Sequence, residues 1–69
     1  MNVKVNGKIE YLEFPQEKIT LKDTLEFLGY REDSVIVELN DLIINSADWS
    51  MKFLEEGDKI EIVSIVGGG

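Results

Sequence analysis

Apolar and polar residues alternate at the start of the chain, and this period of two is typical of β-strands. Val3 and Val5 are separated by a lysine, and Asn6 and Gly7 follow them as a favoured two-residue hairpin turn. The segment VKVNGKIEYLEF therefore predicts a β-hairpin. Pro15 marks the end of its second strand, because proline cannot donate a ladder hydrogen bond.

The next segment, TLKDTLEFLG, has the leucine spacing of a short amphipathic helix. Thr20 is placed to cap its N-terminus, and Asp23, three residues later, is placed for the return contact of a capping box. Gly29 suits the left-handed conformation that commonly follows a helix. Spacings of four and three residues put one set of leucines on a single face of this helix: Leu21, Leu25 and Leu28.

A second alternating segment, SVIVELN, opens the second half of the chain. It predicts a strand with Val35, Val37 and Leu39 on one face. Asn40-Asp41 then predicts a tight turn into the short strand LII.

The last third of the chain predicts one helical turn and one more strand. NSADWS is typical of a turn capped by Asn45 or Ser46, with Trp49 packed against the domain. A turn at Glu56-Gly57-Asp58 leads into the final strand, KIEIVSIV. One helix cannot bury both faces of the resulting sheet, so we expect an α+β domain with the helix across one face only.

The open face of that sheet carries apolar residues. Val63 and Ile65 point away from the core-facing positions of the last strand, and Ile36 lies on the outward side of its own strand. These three residues form a candidate surface for docking a partner. Alternatively, the segment around Trp49 and Phe53 covers part of them.

The residue types that are missing narrow the possible chemistry. The 69 residues include no cysteine and no histidine, which excludes disulfides, thiolate metal sites and the commonest general base. Two carboxylate pairs, Glu55-Glu56 and Glu32-Asp33, lie in polar stretches where nothing would raise their pKa for acid–base work. We therefore expect no catalytic residues, no bound metal and no bound cofactor, and a chain that is not itself an enzyme.

The charge balance bears on partners and location. Seven basic residues against fourteen acidic ones give a formal charge of −7, which disfavours binding to nucleic acid or to anionic membranes. This acidity either suits a partner with a basic groove or only keeps a small domain in solution. No segment has the apolar length of a membrane span or the apolar core of a signal peptide, so we expect a cytoplasmic protein.

The chain finishes on IVGGG, a run that folding alone does not require. Glycine loses the most backbone entropy on ordering, so this run predicts a flexible tail, residues 67–69, after a single domain, residues 1–66. The run is either incidental or useful because glycine has no side chain and adopts φ angles that other residues avoid.

The order of elements and the Gly-Gly end resemble the ubiquitin-like β-grasp fold, a mixed sheet of four to five strands with one helix across one face. The second half resembles the ThiS family of thiamine-biosynthesis sulfur carriers more specifically. That family has a V-x-V-x-x-N strand, a tryptophan turn, an L-x-x-G-D-x-[IV]-E-I-V segment and a V-G-G-G or G-G terminus. The corresponding residues here are Val35, Val37 and Asn40; Trp49; Leu54, Gly57, Asp58, Ile60, Glu61, Ile62 and Val63; and Val66 to Gly69.

This resemblance implies that Gly69 carries the chemistry. A ubiquitin-activating-type, ThiF-like enzyme would adenylate its carboxylate with ATP and Mg²⁺, and a persulfide donor would convert it to a thiocarboxylate. A ThiG-like thiazole synthase would then take the sulfur for the thiazole of thiamine. Gly67 and Gly68 would thread into the partners' active sites, while the apolar patch would dock the body of the carrier.

Two other functions share these features. The first is a related carrier for molybdopterin, tungstopterin, cysteine or tRNA thiolation, or a modifier conjugated to lysines. The second is a ubiquitin-like interaction module whose terminus is never activated. Deleting Gly69 separates the second from the carriers, because only a carrier or modifier needs a free terminal carboxylate there.

Overall fold

The computed structural model describes residues 1–65, which form a five-stranded mixed sheet with one α-helix packed against it. The strands follow one another in space as β2-β1-β5-β3-β4. Their bounds are β1 Asn2–Val5, β2 Lys8–Tyr11, β3 Val35–Leu39, β4 Leu42–Ile44 and β5 Lys59–Ser64. Helix α1 is Leu21–Phe27, and two 3-10 helices span Glu32–Ser34 and Ser46–Met51. The predicted α+β class and mixed sheet are confirmed, with five strands.

The centre of the sheet joins the two ends of the described chain. Strands β1 and β5 run parallel, while β1–β2, β3–β4 and β3–β5 are antiparallel. The hairpin turn between β1 and β2 uses Asn6 at φ 50° and Gly7 at φ 83°, as the Asn-Gly signal predicts. The Asn6 side chain then accepts a hydrogen bond from the amide of Ile62 at 2.6 Å and donates one to its carbonyl at 3.2 Å. This amide side chain therefore continues the β1–β5 pairing beyond the end of β1.

The core lies between the helix and the inner face of the sheet. Alternate residues of β1, β3 and β5 point inward, and the leucines of α1 pack against them. Trp49 is only 3% exposed and belongs to this core, as its predicted packing requires. The buried apolar residues are Val3, Val5, Leu12, Ile19, Leu21, Leu25, Val35, Val37, Trp49, Leu54, Ile60 and Ile62.

The start of α1 is a complete capping box. The Thr20 hydroxyl accepts from the Asp23 amide at 3.0 Å, and the Asp23 carboxylate accepts from the Thr20 amide at 3.0 Å. The hydrogen bonds from Thr20 hold the pKa of Asp23 below its ordinary value, since they favour the charged carboxylate. Gly29 takes φ 88° just beyond the helix, as predicted. Both ends of a seven-residue helix are therefore fixed by local sequence.

Three predicted details are wrong. Strand β2 ends at Tyr11 rather than at Pro15, because Leu12 turns into the core and its amide bonds to the carbonyl of Met1 at 2.7 Å. The segment around Trp49 forms a six-residue 3-10 helix rather than a single turn, and Asn45 precedes it without a side-chain capping bond. The last strand ends at Ser64, two residues short of the predicted run.

Candidate functional site

The face of the sheet opposite the helix carries the apolar residues that the alternation predicts. Ile36 on β3 and Val63 on β5 are direct cross-strand partners, and they remain 47% and 57% exposed. Ile65, just beyond β5, is 49% exposed. The segment around Trp49 and Phe53 thus leaves all three accessible, and Phe53 itself is 54% exposed. Their role in docking stays a prediction.

This patch lies where the described chain ends. The amide of Ile65 donates to the carbonyl of Ser34 at 2.8 Å, so the backbone follows the sheet to the last described residue. The predicted site residues Gly67, Gly68 and Gly69 lie outside the described residues. Because Val66 is the only residue between Ile65 and these glycines, the patch borders the base of the tail.

Sequence reasoning missed Ile43 as a member of this surface. It lies on edge strand β4, opposite Glu38, and is 69% exposed. Ile36, Ile43 and the buried Trp49 help to line a cavity of about 260 Å³ near the β3–β4 edge of the sheet. The signal was present in the all-apolar strand LII, since a strand on the edge of a one-helix sheet must turn one of these residues outward.

Charged residues lie beside the patch on the three central strands of this face, whereas the edge strand β2 adds the exposed Ile9 and Tyr11. Glu38 and Glu61 are direct cross-strand partners on β3 and β5. Lys4 and Lys59 are direct partners on the parallel pair β1 and β5. Lys59 also forms an ion pair with Asp41 at 2.7 Å, and this contact raises the pKa of Lys59.

Two of the motif residues that carry the family resemblance hold the fold together. Asn40 donates to the Asp58 carboxylate at 3.0 Å and accepts from the Lys59 amide at 2.9 Å. The second carboxylate oxygen of Asp58 accepts from the amide of Glu55 at 2.8 Å. Asn40 does this at φ 51°, a left-handed conformation that asparagine tolerates better than most residues. These contacts, which we term the Asn40–Asp58 latch, join the β3–β4 turn to the start of β5.

Another groove and the predicted carboxylate pairs lie elsewhere in residues 1–65. A cavity of about 580 Å³ is an open groove between α1 and the two 3-10 helices, with Tyr30 and Trp49 among its lining. Glu32, Asp33, Glu55 and Glu56 are exposed. Within the same range there is no cluster of three or more potential metal ligands. None of the helices described is long and apolar enough to cross a bilayer.

Comparison with known proteins assigns the family. A sequence model of the ThiS family matches residues 2–69. The chain belongs to the ThiS family of ubiquitin-like sulfur carriers. The crystal structure of thiamine biosynthesis protein ThiS from Geobacter metallireducens superposes with a TM-score of 0.82 at 28% identity, and the match covers 100% of both chains. The β-grasp fold implied by the resemblance is therefore confirmed.

Two curated relatives of this ThiS-family chain differ in length. The protein ycf40 of Trieres chinensis is 37% identical over 65 residues, which cover 94% of this chain and 85% of that protein. A thiazole synthase of Magnetococcus marinus is 32% identical over 69 residues. That match covers 100% of this chain but only 20% of the synthase, so a ThiS-like region forms one part of a much longer protein there.

Proposed function

We propose that this chain carries sulfur for thiamine biosynthesis as a thiocarboxylate on Gly69. The observation that carries the proposal is the family match, which extends through the terminal glycines to residue 69. The chain then acts as a protein cosubstrate, and the catalytic groups, ATP and Mg²⁺ belong to its partner. This division of labour agrees with the absence of histidine and cysteine from the sequence.

The chemistry begins with activation of a poor electrophile. The Gly69 carboxylate attacks the α-phosphate of ATP, which forms an acyl-adenylate and releases pyrophosphate. A persulfide then attacks the acyl carbon, the carbon–oxygen bond to AMP breaks, and an acyl disulfide forms. A thiol of the donor cleaves that S–S bond, which leaves the thiocarboxylate on the carrier and a disulfide on the donor.

The tail suits this route because glycine has no side chain. If residues 67 and 68 had side chains, the partner would need a wider channel beside its nucleotide to admit Gly67 and Gly68. Ordering three glycines costs at least about 3–6 kcal/mol of backbone entropy. The tail itself has little surface with which to recover this free energy, so the folded body must supply binding.

The apolar patch on the folded body can supply this binding free energy. Full burial of an isoleucine or valine side chain contributes about 1.5–3 kcal/mol, so a half-exposed one can still contribute about 1 kcal/mol. Ile36, Val63 and Ile65 are each about half exposed. Together they can contribute about 3 kcal/mol when a partner covers them, and Ile43 adds to this. That sum is comparable with the lower estimate for ordering the tail.

Thiazole synthase is the proposed acceptor of the sulfur. The Magnetococcus marinus relative bears that name and contains a region similar to this whole chain. Because a ThiS-like region and a thiazole synthase are joined in one protein there, we expect the two to act together where they are separate chains.

The test is the intact mass of the untagged protein after incubation with a ThiF-like enzyme of the same organism, ATP, Mg²⁺ and a persulfide donor. We expect a species heavier by the exchange of one oxygen for one sulfur. Deletion of Gly69, or addition of one alanine after it, should abolish this species and leave the fold unchanged. An unmodified wild-type mass under these conditions would refute the carrier function.

A further inference from the structure

On the three central strands, β1, β5 and β3, the outer face of the sheet is banded by charge, and exposed isoleucines on the edge strands flank the bands. The apolar band is Ile36 with Val63; the acidic band is Glu38 with Glu61; the basic band is Lys4 with Lys59. Successive bands lie two residues apart along β5, which corresponds to about 6.6 Å. The apolar band is nearest the tail, and the basic band is farthest from it.

Direct cross-strand pairing within the chain does not favour this arrangement, although Glu61 and Glu38 attract Lys59 from the neighbouring band. Like charges directly opposite each other across a strand pair destabilise a sheet. The acidic band places two carboxylates opposite each other, and the basic band does the same with two ammonium groups. Among the ion pairs formed within residues 1–65, neither Glu38 nor Glu61 nor Lys4 takes part. If one lysine of the basic band and one glutamate of the acidic band changed places, both cross-strand pairs would join opposite charges.

We propose that the banded face fixes one docking orientation on the activating enzyme, an inference that rests on the sulfur-carrier function proposed above. The matching enzyme surface carries an apolar contact beside the entrance to its active site. It carries arginine or lysine about 6.6 Å farther out and a carboxylate at the next step. The partner then supplies opposite charges to Glu38, Glu61 and Lys4, which form no ion pair within residues 1–65.

Orientation matters because the tail is short. Four extended residues from Val66 reach about 13 Å. Strand β5, with six residues, is about 20 Å long. A carrier docked upside down on the same surface would begin its tail about one strand length from the entrance, so Gly69 could not arrive. Reversed docking about the middle band would also set the apolar band against the enzyme's carboxylate and the basic band against its apolar contact, and the cost of desolvating these unpaired charges disfavours that pose.

The test exchanges charge between the bands without altering the total. In the double variant Lys4→Glu/Glu61→Lys the two substitutions change the charge by −2 and +2, so it stays at −7. The Lys59–Asp41 ion pair is untouched. A second exchange, Lys22→Glu/Glu26→Lys, serves as the matched control, because both residues are exposed on α1 across the sheet from the banded face.

The two variants are compared with wild type in adenylation by the ThiF-like enzyme of the same organism, with ATP and Mg²⁺. We expect the banded-face exchange to raise Tm by a few degrees, because both cross-strand pairs become favourable. It should nonetheless raise the KM for the carrier about tenfold or more with little change in kcat, while the α1 exchange leaves KM unchanged. A merely structural role predicts no loss of affinity from a more stable protein.

Two results would overturn the inference, and each differs from failure of the carrier function. The first is a wild-type KM for the banded-face exchange in a folded protein. The second is an equal rise in KM for the α1 exchange, which would show that local charge position is irrelevant. In both cases wild-type protein is still adenylated and converted to the thiocarboxylate, whereas the carrier function itself fails if wild type is not converted.

Discussion

The Asn40–Asp58 latch makes a quantitative prediction about stability. In Asn40→Ala the Asp58 carboxylate loses a donor and the Lys59 amide loses its acceptor. Two hydrogen bonds near the surface contribute about 1–3 kcal/mol together. Alanine at φ 51° adds about 1 kcal/mol of backbone strain. The free energy of unfolding should therefore fall by about 2–4 kcal/mol.

That loss is large for a domain of this size. At about 0.05–0.15 kcal/mol per residue, 69 residues have a total stability of about 3–10 kcal/mol. Urea unfolding, followed by the fluorescence of the only tryptophan, Trp49, gives the measurement. With an m-value of about 1 kcal/mol per M, the midpoint should move down by about 2–4 M.

Two control variants separate the loss of the hydrogen bonds from the backbone strain. Asn40→Gly also loses both hydrogen bonds but accepts the left-handed backbone, so it should be more stable than Asn40→Ala by about 1 kcal/mol. Asn45→Ala removes an exposed asparagine whose side chain makes no capping bond, and it should change stability by less than about 0.5 kcal/mol. If Asn40→Ala and Asn45→Ala unfold at the same urea concentration, the latch does not stabilise the fold.

Three further substitutions test other parts of the structure. Asp23→Asn should destabilise the protein at neutral pH. Because Thr20 lowers the pKa of Asp23 in the folded protein, the difference from wild type should begin to shrink as the pH falls below the unfolded value near 3.8 and should be lost below the lower folded value, which acid titration of unfolding would show. Trp49→Phe removes the hydrogen bond from the indole to the carbonyl of Ile44 at 3.0 Å. It should lower the free energy of unfolding by about 1–3 kcal/mol in urea, and an unchanged value would contradict that bond's role. Gly57→Ala meets open space but forces alanine to φ 86°. Its thermal unfolding should show a loss of about 1–2 kcal/mol, and no loss would mean that the turn relaxes freely.

Features decided by neighbouring residues could be predicted from the sequence. The capping box at Thr20 and Asp23 spans three residues, and the turn at Asn6-Gly7 spans two, so each is specified by side chains close in the chain. The outward direction of Ile36 and Val63 follows from strand alternation alone. These are the parts of the candidate docking surface that the sequence predicted correctly.

Contacts between distant residues could not be predicted in the same way. The Asn6-Gly7 sequence predicts the same turn whether or not the Asn6 side chain bonds to Ile62, 56 positions away. Asn40 matched the family motif, yet only the structure shows that its partner is Asp58. The charge bands likewise depend on the register between strands, and a shift of one residue would remove them. Strand order and register are global properties, so local pattern does not reveal them.

The position of β5 has a consequence for synthesis of the carrier. It is the last of the five strands in chain order, yet it lies between β1 and β3 and joins the two halves of the sheet. Until the ribosome has made it, the nascent chain holds two separate hairpins that cannot share a core. A translation product that stops early therefore lacks both the folded body and the reactive end. If the proposed function holds, such a fragment should not compete for the activating enzyme, because the folded body and the C-terminal residues are completed together at the end of synthesis.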